Sequence, residues 1–219
     1  MLSPEQVQDS EWWLMVKKEF HPPHIYQDDS CYFLTGSVVH GQKLFDSEPK
    51  RDLLRDVLKE AIQQYGIRLS AWVILANHYH LLIKTSEVAP IWKFIKRLHG
   101  ESAIKLNKFD QKPGRKVWYQ YWDRFPRNED DFWGYFNYIH INPIKHGYVS
   151  VAGNQLLVEN GNLQLPIDQI PDVNQCLALY PHSSFHFYLD KYGDEFLINA
   201  FRDYPIPDYL AHDDPPATP

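Results

Sequence analysis

Hydrophobic and polar positions through residue 122 follow the repeats of a mixed helix and strand protein. Two segments carry apolar residues at helical spacing, and four short segments are rich in strand-forming residues. Strand 67–75 is apolar on both faces, which favours a central position in its sheet. Helices on one face of an antiparallel sheet give an α+β, ferredoxin-like fold. The predicted order is strand 31–39, helix 50–65, strands 67–75 and 78–85, helix 89–107 and strand 117–122.

The strand predicted at 78–85 carries two histidines on one face. Next-nearest side chains on a strand share a face and lie about 6.6 Å apart. His78 and His80 are therefore expected side by side, and two imidazoles at this spacing can bind one metal ion. The chain has 11 histidines, so a chance pair with a structural role is an open alternative. The opposite face should pack in the core through Tyr79, Leu81 and Ile83.

A further helix is predicted from residue 129 to about 141. Asn128 can cap its N-terminus, and three acidic residues follow in the first turn. Pro143 is expected to end the helical pattern, and Gly147 to mark a turn. At about 100° per residue, a polar and aromatic stripe lies beside an apolar one. This stripe consists of Asp131, Tyr135, Tyr138 and Asn142.

The remainder of the chain predicts a boundary near residue 150. An amphipathic helical lead-in is expected over 1–20, and one domain over 1–150. Residues 151–219 are punctuated by proline and lack clear periodicity, so we expect an irregular acidic tail packed on the domain. The last eight or so residues are expected to be disordered.

Composition favours a globular protein, because 44% of the 219 residues are hydrophobic and 15% are aromatic. No apolar run is long enough to span a bilayer, so no membrane association is expected. The N-terminus lacks a basic start followed by an apolar stretch, and the only cysteines are Cys31 and Cys176. These features indicate a reduced, cytoplasmic protein.

Charge is distributed unevenly along the chain. Residues 93–127 hold ten basic and three acidic residues, whereas residues 151–219 hold ten acidic and two basic residues. A basic segment attracts phosphates, and exposed aromatic residues within it can stack on unpaired bases. A solvated charged surface is the alternative. The candidate phosphate contacts are Lys93, Lys96, Arg97, Lys105, Arg115, Lys116, Arg124 and Arg127.

Four motifs in order resemble the single-tyrosine transposases of the IS200 type, most closely the REP-associated branch that acts on palindromic repeats. The histidine–hydrophobic–histidine motif that names the wider HUH endonucleases corresponds to His78-Tyr79-His80. The other matches are 117–123 (VWYQYWD), 138–149 (YIHINPIKHGYV) and 183–185 (SSF). Together they cover roughly residues 20–190, and their order makes the resemblance specific.

The resemblance implies a metal-dependent endonuclease and strand transferase that acts on single-stranded or hairpin DNA. It implies that Tyr138 is the nucleophile, whereas the helix pattern alone leaves Tyr135 as a rival. It further implies that His78, His80 and Asn142 bind a divalent metal, Mg²⁺ or Mn²⁺. Attack by the tyrosine would give a 5′-phosphotyrosine, and the tyrosine-bearing helix would lie by the histidine strand.

Two other functions fit the residues. One is a non-catalytic nucleic-acid-binding module on a ferredoxin-like sheet, and the other is a metal-dependent hydrolase that forms no covalent adduct. We interpret His140 and His146 as surface residues or phosphate contacts. A monomer is expected because the long tail can complete the chain's own surface, with a dimer as the alternative.

Overall fold

The computed structural model describes residues 30–85, 90–150, 157–159, 162–164, 170–207 and 209–210. The lead-in expected over 1–20 and the terminal residues expected to be disordered lie outside these ranges. The chain forms two compact units, which meet in sequence between residues 125 and 126. We call Tyr26–Phe125 the sheet unit and Pro126–Asp213 the helical unit.

The sheet unit is a four-stranded antiparallel sheet with the strand order β2-β3-β1-β4. This order and two helices confirm the predicted α+β, ferredoxin-like fold. The prediction that strand 67–75 is central is wrong, because β2 lies at an edge. Its residues Ala71, Val73 and Ile74 are buried even though the strand has a neighbour along only one edge. The elements are β1 Ser30–Val38, a 3₁₀ turn Val39–Gly41, α1 Glu48–Tyr65, β2 Arg68–Ile74, β3 His78–Thr85, α2 Pro90–Phe109 and β4 Trp118–Arg124.

One face of the sheet packs against α1 and α2 to form the core. Tyr79, Leu81 and Ile83 of β3 are buried in this core, as their alternation predicted. Gly66 ends α1 in the left-handed conformation, with φ +62°, which is the expected helix C-cap. The helices contribute Leu54, Val57, Leu58 and Ala61 from α1, and Ile91, Phe94, Ile95 and Leu98 from α2.

Tyr79 occupies the space that a side chain at Gly36 would need. The two residues are opposite each other in β3 and β1, and a Cβ on Gly36 would lie 2.3 Å from the Tyr79 ring. The hydroxyl oxygen of Tyr79 is hydrogen-bonded to Nε2 of His99 at 2.8 Å. The His99 ring stacks on Trp118 at a centroid distance of 4.5 Å. The Tyr79 ring is therefore held in place and has little freedom to move away from Gly36.

The helical unit begins with α3, and its described residues form two further α-helices. The elements are α3 Glu129–Lys145, β5 Leu157–Glu159, β6 Asn162–Gln164, α4 Ile170–Leu177, α5 Phe185–Asp203 and β7 Ile206–Pro207. The three short strands form an antiparallel sheet, and α4, α5 and β7 pack against α3. Asn137 ties α3 to the end of α5 by donating hydrogen bonds to the carbonyls of Ala200 and Tyr204, at 2.7 and 2.8 Å.

Residues 170–203, which we expected to be irregular, are largely helical. The prolines lie between or at the starts of these helices, so they interrupt the pattern without preventing it. Aromatic residues at helical spacing, Phe185, Tyr188, Tyr192 and Phe196, form a continuous series of ring contacts with α3 and one another. None of the helices in the described ranges has the length and hydropathy needed to cross a bilayer.

Helix α3 begins as predicted but ends later. Asn128 caps it, and its side-chain oxygen accepts a hydrogen bond from the Asp131 amide at 2.8 Å. The helix passes Pro143 and continues to Lys145. The Tyr148 amide then bonds to the Pro143 carbonyl, and the amide of Gly147, with φ +70°, bonds to the Ile144 carbonyl. These two bonds form a Schellman motif, so the stop signal is the glycine, not the proline.

We predict that Gly36→Ala destabilises the sheet unit by about 1–3 kcal/mol, because overpacking must displace the anchored Tyr79 ring. Gly100→Ala is the matched control. A Cβ at Gly100 meets nothing within 4 Å, and the residue lies inside α2. Alanine should therefore leave stability unchanged or raise it by up to about 1 kcal/mol. Urea unfolding of both variants measures the effect, and equal stabilities would contradict the packing role of Gly36.

We also predict an acid-labile sheet unit. Burial lowers the pKa of His99 from 6.5 to about 3, so the unfolded chain binds a proton that the folded chain excludes. The free energy of unfolding is not reduced by His99 above pH 6.5. As the pH falls from 6.5 toward 3, protonation of His99 in the unfolded chain lowers it by no more than about 1.4 kcal/mol per pH unit. Urea midpoints at several pH values should fall less steeply for His99→Gln, and parallel curves would refute the assignment.

Candidate active site

The histidine pair lies in the middle of the sheet unit, on the face opposite the helices. His78 and His80 are both buried, and their ring centroids are 4.9 Å apart. The neighbouring strand places Thr35 opposite His80 and Ser37 opposite His78. The predicted side-by-side arrangement of the two imidazoles is therefore present.

Each imidazole is oriented by a hydrogen bond at Nδ1. His78 Nδ1 is 2.8 Å from the side-chain oxygen of Asn77, and His80 Nδ1 is 2.8 Å from Oγ1 of Thr35. The Asn77 oxygen can only accept, so His78 donates from Nδ1, and in the neutral ring this leaves the lone pair on Nε2. An oriented ring with its lone pair on one nitrogen is the usual form of a metal-binding histidine.

Sequence reasoning did not identify these orienting residues. Asn77 directly precedes the first histidine, so adjacency was an available signal. Thr35 is 45 positions from His80 and becomes its neighbour only through the β1–β3 register. No pattern within either strand specifies that register.

The donor atoms of the two histidines fit a divalent metal, but a complete ligand set needs more. The described ranges contain no cluster of three or more His, Cys, Asp and Glu side chains that could bind an ion. An additional ligand would have to be of another type, and an amide oxygen is one such ligand for a hard cation.

Asn142 in the helical unit has such an oxygen. The residue is buried, and its side-chain nitrogen donates to the Tyr138 carbonyl at 2.6 Å. Its Oδ1 has no hydrogen-bond partner among the described residues. A buried amide oxygen without a partner is costly, and such an atom fits the metal donor that the family resemblance implies at this position. Its role as a metal ligand stays a prediction.

Tyr138 is buried and has a cationic neighbour on its own helix. Nζ of Lys145 donates a hydrogen bond to the Tyr138 hydroxyl at 3.1 Å and lies 4.9 Å from the centroid of the ring. The two residues are seven positions apart, which is two turns of α3 and the same helix face. We did not identify Lys145 from sequence, because helix α3 was expected to end before it.

The position of Lys145 distinguishes Tyr138 from Tyr135 as the candidate nucleophile. Tyr135 is also buried on α3, but it precedes Lys145 by ten positions. That separation is about 15 Å along a helix axis. The ammonium group therefore belongs to the environment of Tyr138.

The interpretation of His140 as a surface residue or phosphate contact is wrong. The residue is buried, not on the surface, with its ring 4.3 Å from that of Phe136. Its Nε2 is 2.8 Å from Oγ of Ser184, and burial lowers its pKa to about 3. His140 therefore packs inside the helical unit as a neutral residue, whereas His146 is exposed.

The eight candidate phosphate contacts divide into two groups, and their roles stay predictions. Four form ion pairs within their own unit: Arg97 with Glu101, Lys105 with Glu60, Arg115 with Asp110 and Arg127 with Asp131. The pair with Asp131 raises the pKa of Arg127. The other four, Lys93, Lys96, Lys116 and Arg124, are exposed, and so are Lys105 and Arg127.

The comparisons with known proteins agree on one family. A family model described as "Transposase IS200 like" matches residues 19–127, which include both histidines and end before Tyr138. Two curated relatives are named REP-associated tyrosine transposases. The Haemophilus influenzae protein, which carries the name provisionally, is 29% identical over 108 residues, and the Escherichia coli K12 protein is 28% identical over 102.

These matches cover 45% and 44% of this chain, and only 61% and 56% of the two relatives. A solved structure, a REP-associated tyrosine transposase bound to a REP hairpin, covers 80% of this chain and 86% of its own, with a TM-score of 0.53. At 19% sequence identity, this likeness concerns the fold.

Proposed function

Because the chain belongs to the IS200-like transposase family, we propose that it cuts and rejoins single DNA strands through a covalent bond to Tyr138. The observation that carries this proposal is the Lys145 ammonium 3.1 Å from the Tyr138 hydroxyl. A free tyrosine has a pKa of about 10 and is a weak nucleophile at neutral pH. A cation at the phenolic oxygen stabilises the negative charge that develops when the proton leaves.

The reaction exchanges one phosphodiester bond for another. The phenolic oxygen of Tyr138 attacks the phosphorus atom and loses its proton to solvent or a base. The P–O3′ bond breaks, and the departing oxygen takes up a proton to become a 3′-hydroxyl. The 5′-phosphate stays on the tyrosine until a second 3′-hydroxyl displaces it and restores a continuous strand. No oxidant, reductant or nucleotide cofactor is required.

His78, His80 and Asn142 are the proposed ligands of Mg²⁺ or Mn²⁺. When bound, such an ion would act as a Lewis acid that neutralises the non-bridging phosphate oxygens. The contribution of this chain is the orientation of its donors by Asn77, Thr35 and the Tyr138 carbonyl. Because Tyr138 and both histidines are buried, DNA binding must expose them.

The proposed substrate is a DNA hairpin with a single-stranded flank. The related transposase in the solved structure is bound to a REP hairpin, and the basic segment 93–127 supplies exposed cations beside exposed aromatic residues. A monomer is the proposed active form.

We predict that Tyr138→Phe abolishes covalent attachment to a labelled single-stranded hairpin in Mn²⁺, detected as a denaturant-resistant adduct. Tyr135→Phe is the control and should retain the adduct. Chelation of the metal should also abolish attachment. An adduct that persists in Tyr138→Phe would refute the assignment. Cleavage without adduct would indicate a hydrolase, and binding alone a non-catalytic module.

We further predict that Lys145→Gln slows adduct formation by about 100-fold, the usual effect of removing one group that stabilises developing charge. Lys145→Arg should recover part of the rate, because it restores a cation at the same place. Single-turnover adduct formation measures the rate, with hairpin affinity as the control. An equal loss in both variants would indicate that Lys145 serves only to pack the helix.

A further inference from the structure

Strand β4 carries two large aromatic side chains on the surface of the sheet unit. Tyr119 is 56% exposed and Trp122 is 43% exposed, and their ring centroids are 6.4 Å apart. β4 is the last strand in the sheet order, and exposed apolar groups on an edge strand favour aggregation. Two adjacent exposed aromatic rings at such a position are a candidate binding surface.

The strand register places Trp122 on the same face as the histidine pair. Trp122 is opposite Thr35 on β1, and Thr35 is opposite His80 on β3. Residues paired across antiparallel strands share a face, and adjacent strands are about 4.8 Å apart. The backbones of Trp122 and His80 are therefore about 10 Å apart across the sheet.

The pairing of β4 with β1 has a bulge at Tyr119, whose ring lies close to that of Trp122. Gly36 pairs with Tyr121 and Val38 with Trp118, so two residues of β4, 119 and 120, lie opposite the single Ser37. An extra residue bends a strand and turns its side chains. Nζ of Lys116 lies 5.7 Å from the centroid of the Tyr119 ring, which adds a cation beside the aromatic surface.

We propose that Trp122 and Tyr119 form a stacking site for an unpaired base in the flank of the hairpin, next to the phosphate bound at the histidine face. This inference rests on the proposed function. It adds the place at which an unpaired nucleotide of the substrate binds, namely the β4 edge of the sheet. Flat aromatic faces and a neighbouring ammonium suit a base and its phosphate, and stacking of this kind tolerates any base. A duplex offers no unpaired base to this edge, so the site favours single-stranded flanks.

The test compares two exposed tryptophans. Trp92 is 51% exposed and also has a lysine beside it, with Nζ of Lys93 5.6 Å from its ring, but it lies on α2, on the opposite side of the sheet. Affinities are measured in EDTA, where no cleavage is needed, for a hairpin with a single-stranded flank and for the same hairpin with abasic flank positions. Urea unfolding verifies that each variant is folded.

Trp122→Ala should weaken binding of the flanked hairpin by about 10- to 100-fold and leave the abasic hairpin almost unaffected. Trp122→Phe should retain most of the affinity, and Trp92→Ala should change neither. A fluorescent 2-aminopurine in the flank should be quenched by the wild-type protein and not by Trp122→Ala. Equal effects of Trp92→Ala and Trp122→Ala, or an equal loss for both hairpins, would overturn the inference.

The outcome is independent of the covalent chemistry. If wild-type protein forms the tyrosine adduct but Trp122→Ala binds the flank normally, the stacking site is refuted and the proposed function stands. If no adduct forms but the Trp122 effect persists, the edge binds unpaired DNA in a protein that does not cut it.

Discussion

The register of β3 against β1 is the constraint on which the sheet unit depends. It places Tyr79 against Gly36 on the core face and His80 against Thr35 on the other. A slip of one residue would move every side chain of β3 to the opposite face, exchanging the apolar residues for the imidazoles. The close fit of the Tyr79 ring over Gly36 disfavours such a slip, because another residue at that point would bring a Cβ into the ring. The packing of the core therefore also positions the candidate metal ligands.

In the helical unit, the end of α3 has a comparable role. The Schellman bonds at Gly147 allow the last turn to form after Pro143, and Lys145 lies in that turn. If the helix ended at Pro143, Lys145 would have no fixed position on the face of Tyr138. The hydrogen bond from Asn142 to the Tyr138 carbonyl lies on the same helix. A glycine outside the helix thus fixes the polar surroundings of a tyrosine nine residues before it.

Local periodicity was enough to predict the fold and the placement of the histidines. The alternation in β3 assigned Tyr79 and His80 to opposite faces, and the order of elements gave the ferredoxin-like topology. What could not be predicted depends on distant pairing or on exceptions to local rules. Thr35 becomes a partner of His80 through strand register, and Lys145 is reached only because the helix continues past a proline. The irregular tail was a wrong interpretation, because prolines between the helices concealed the helical spacing of Phe185, Tyr188, Tyr192 and Phe196.

The net charge of segment 93–127 overstates the positive charge that is available to the proposed DNA substrate, because some of the cations already form ion pairs. Arg115 and Arg127 form ion pairs with carboxylates at 2.7 Å. Breaking these ion pairs would offset part of the binding free energy that a phosphate contact contributes. Two exposed lysines of this segment, Lys93 and Lys116, lie beside exposed aromatic rings. Phosphates are present in paired and unpaired DNA alike, so charge alone cannot distinguish the two. On the proposed function, discrimination in favour of an unpaired flank would come from the aromatic surfaces, since an unpaired base presents its face to them.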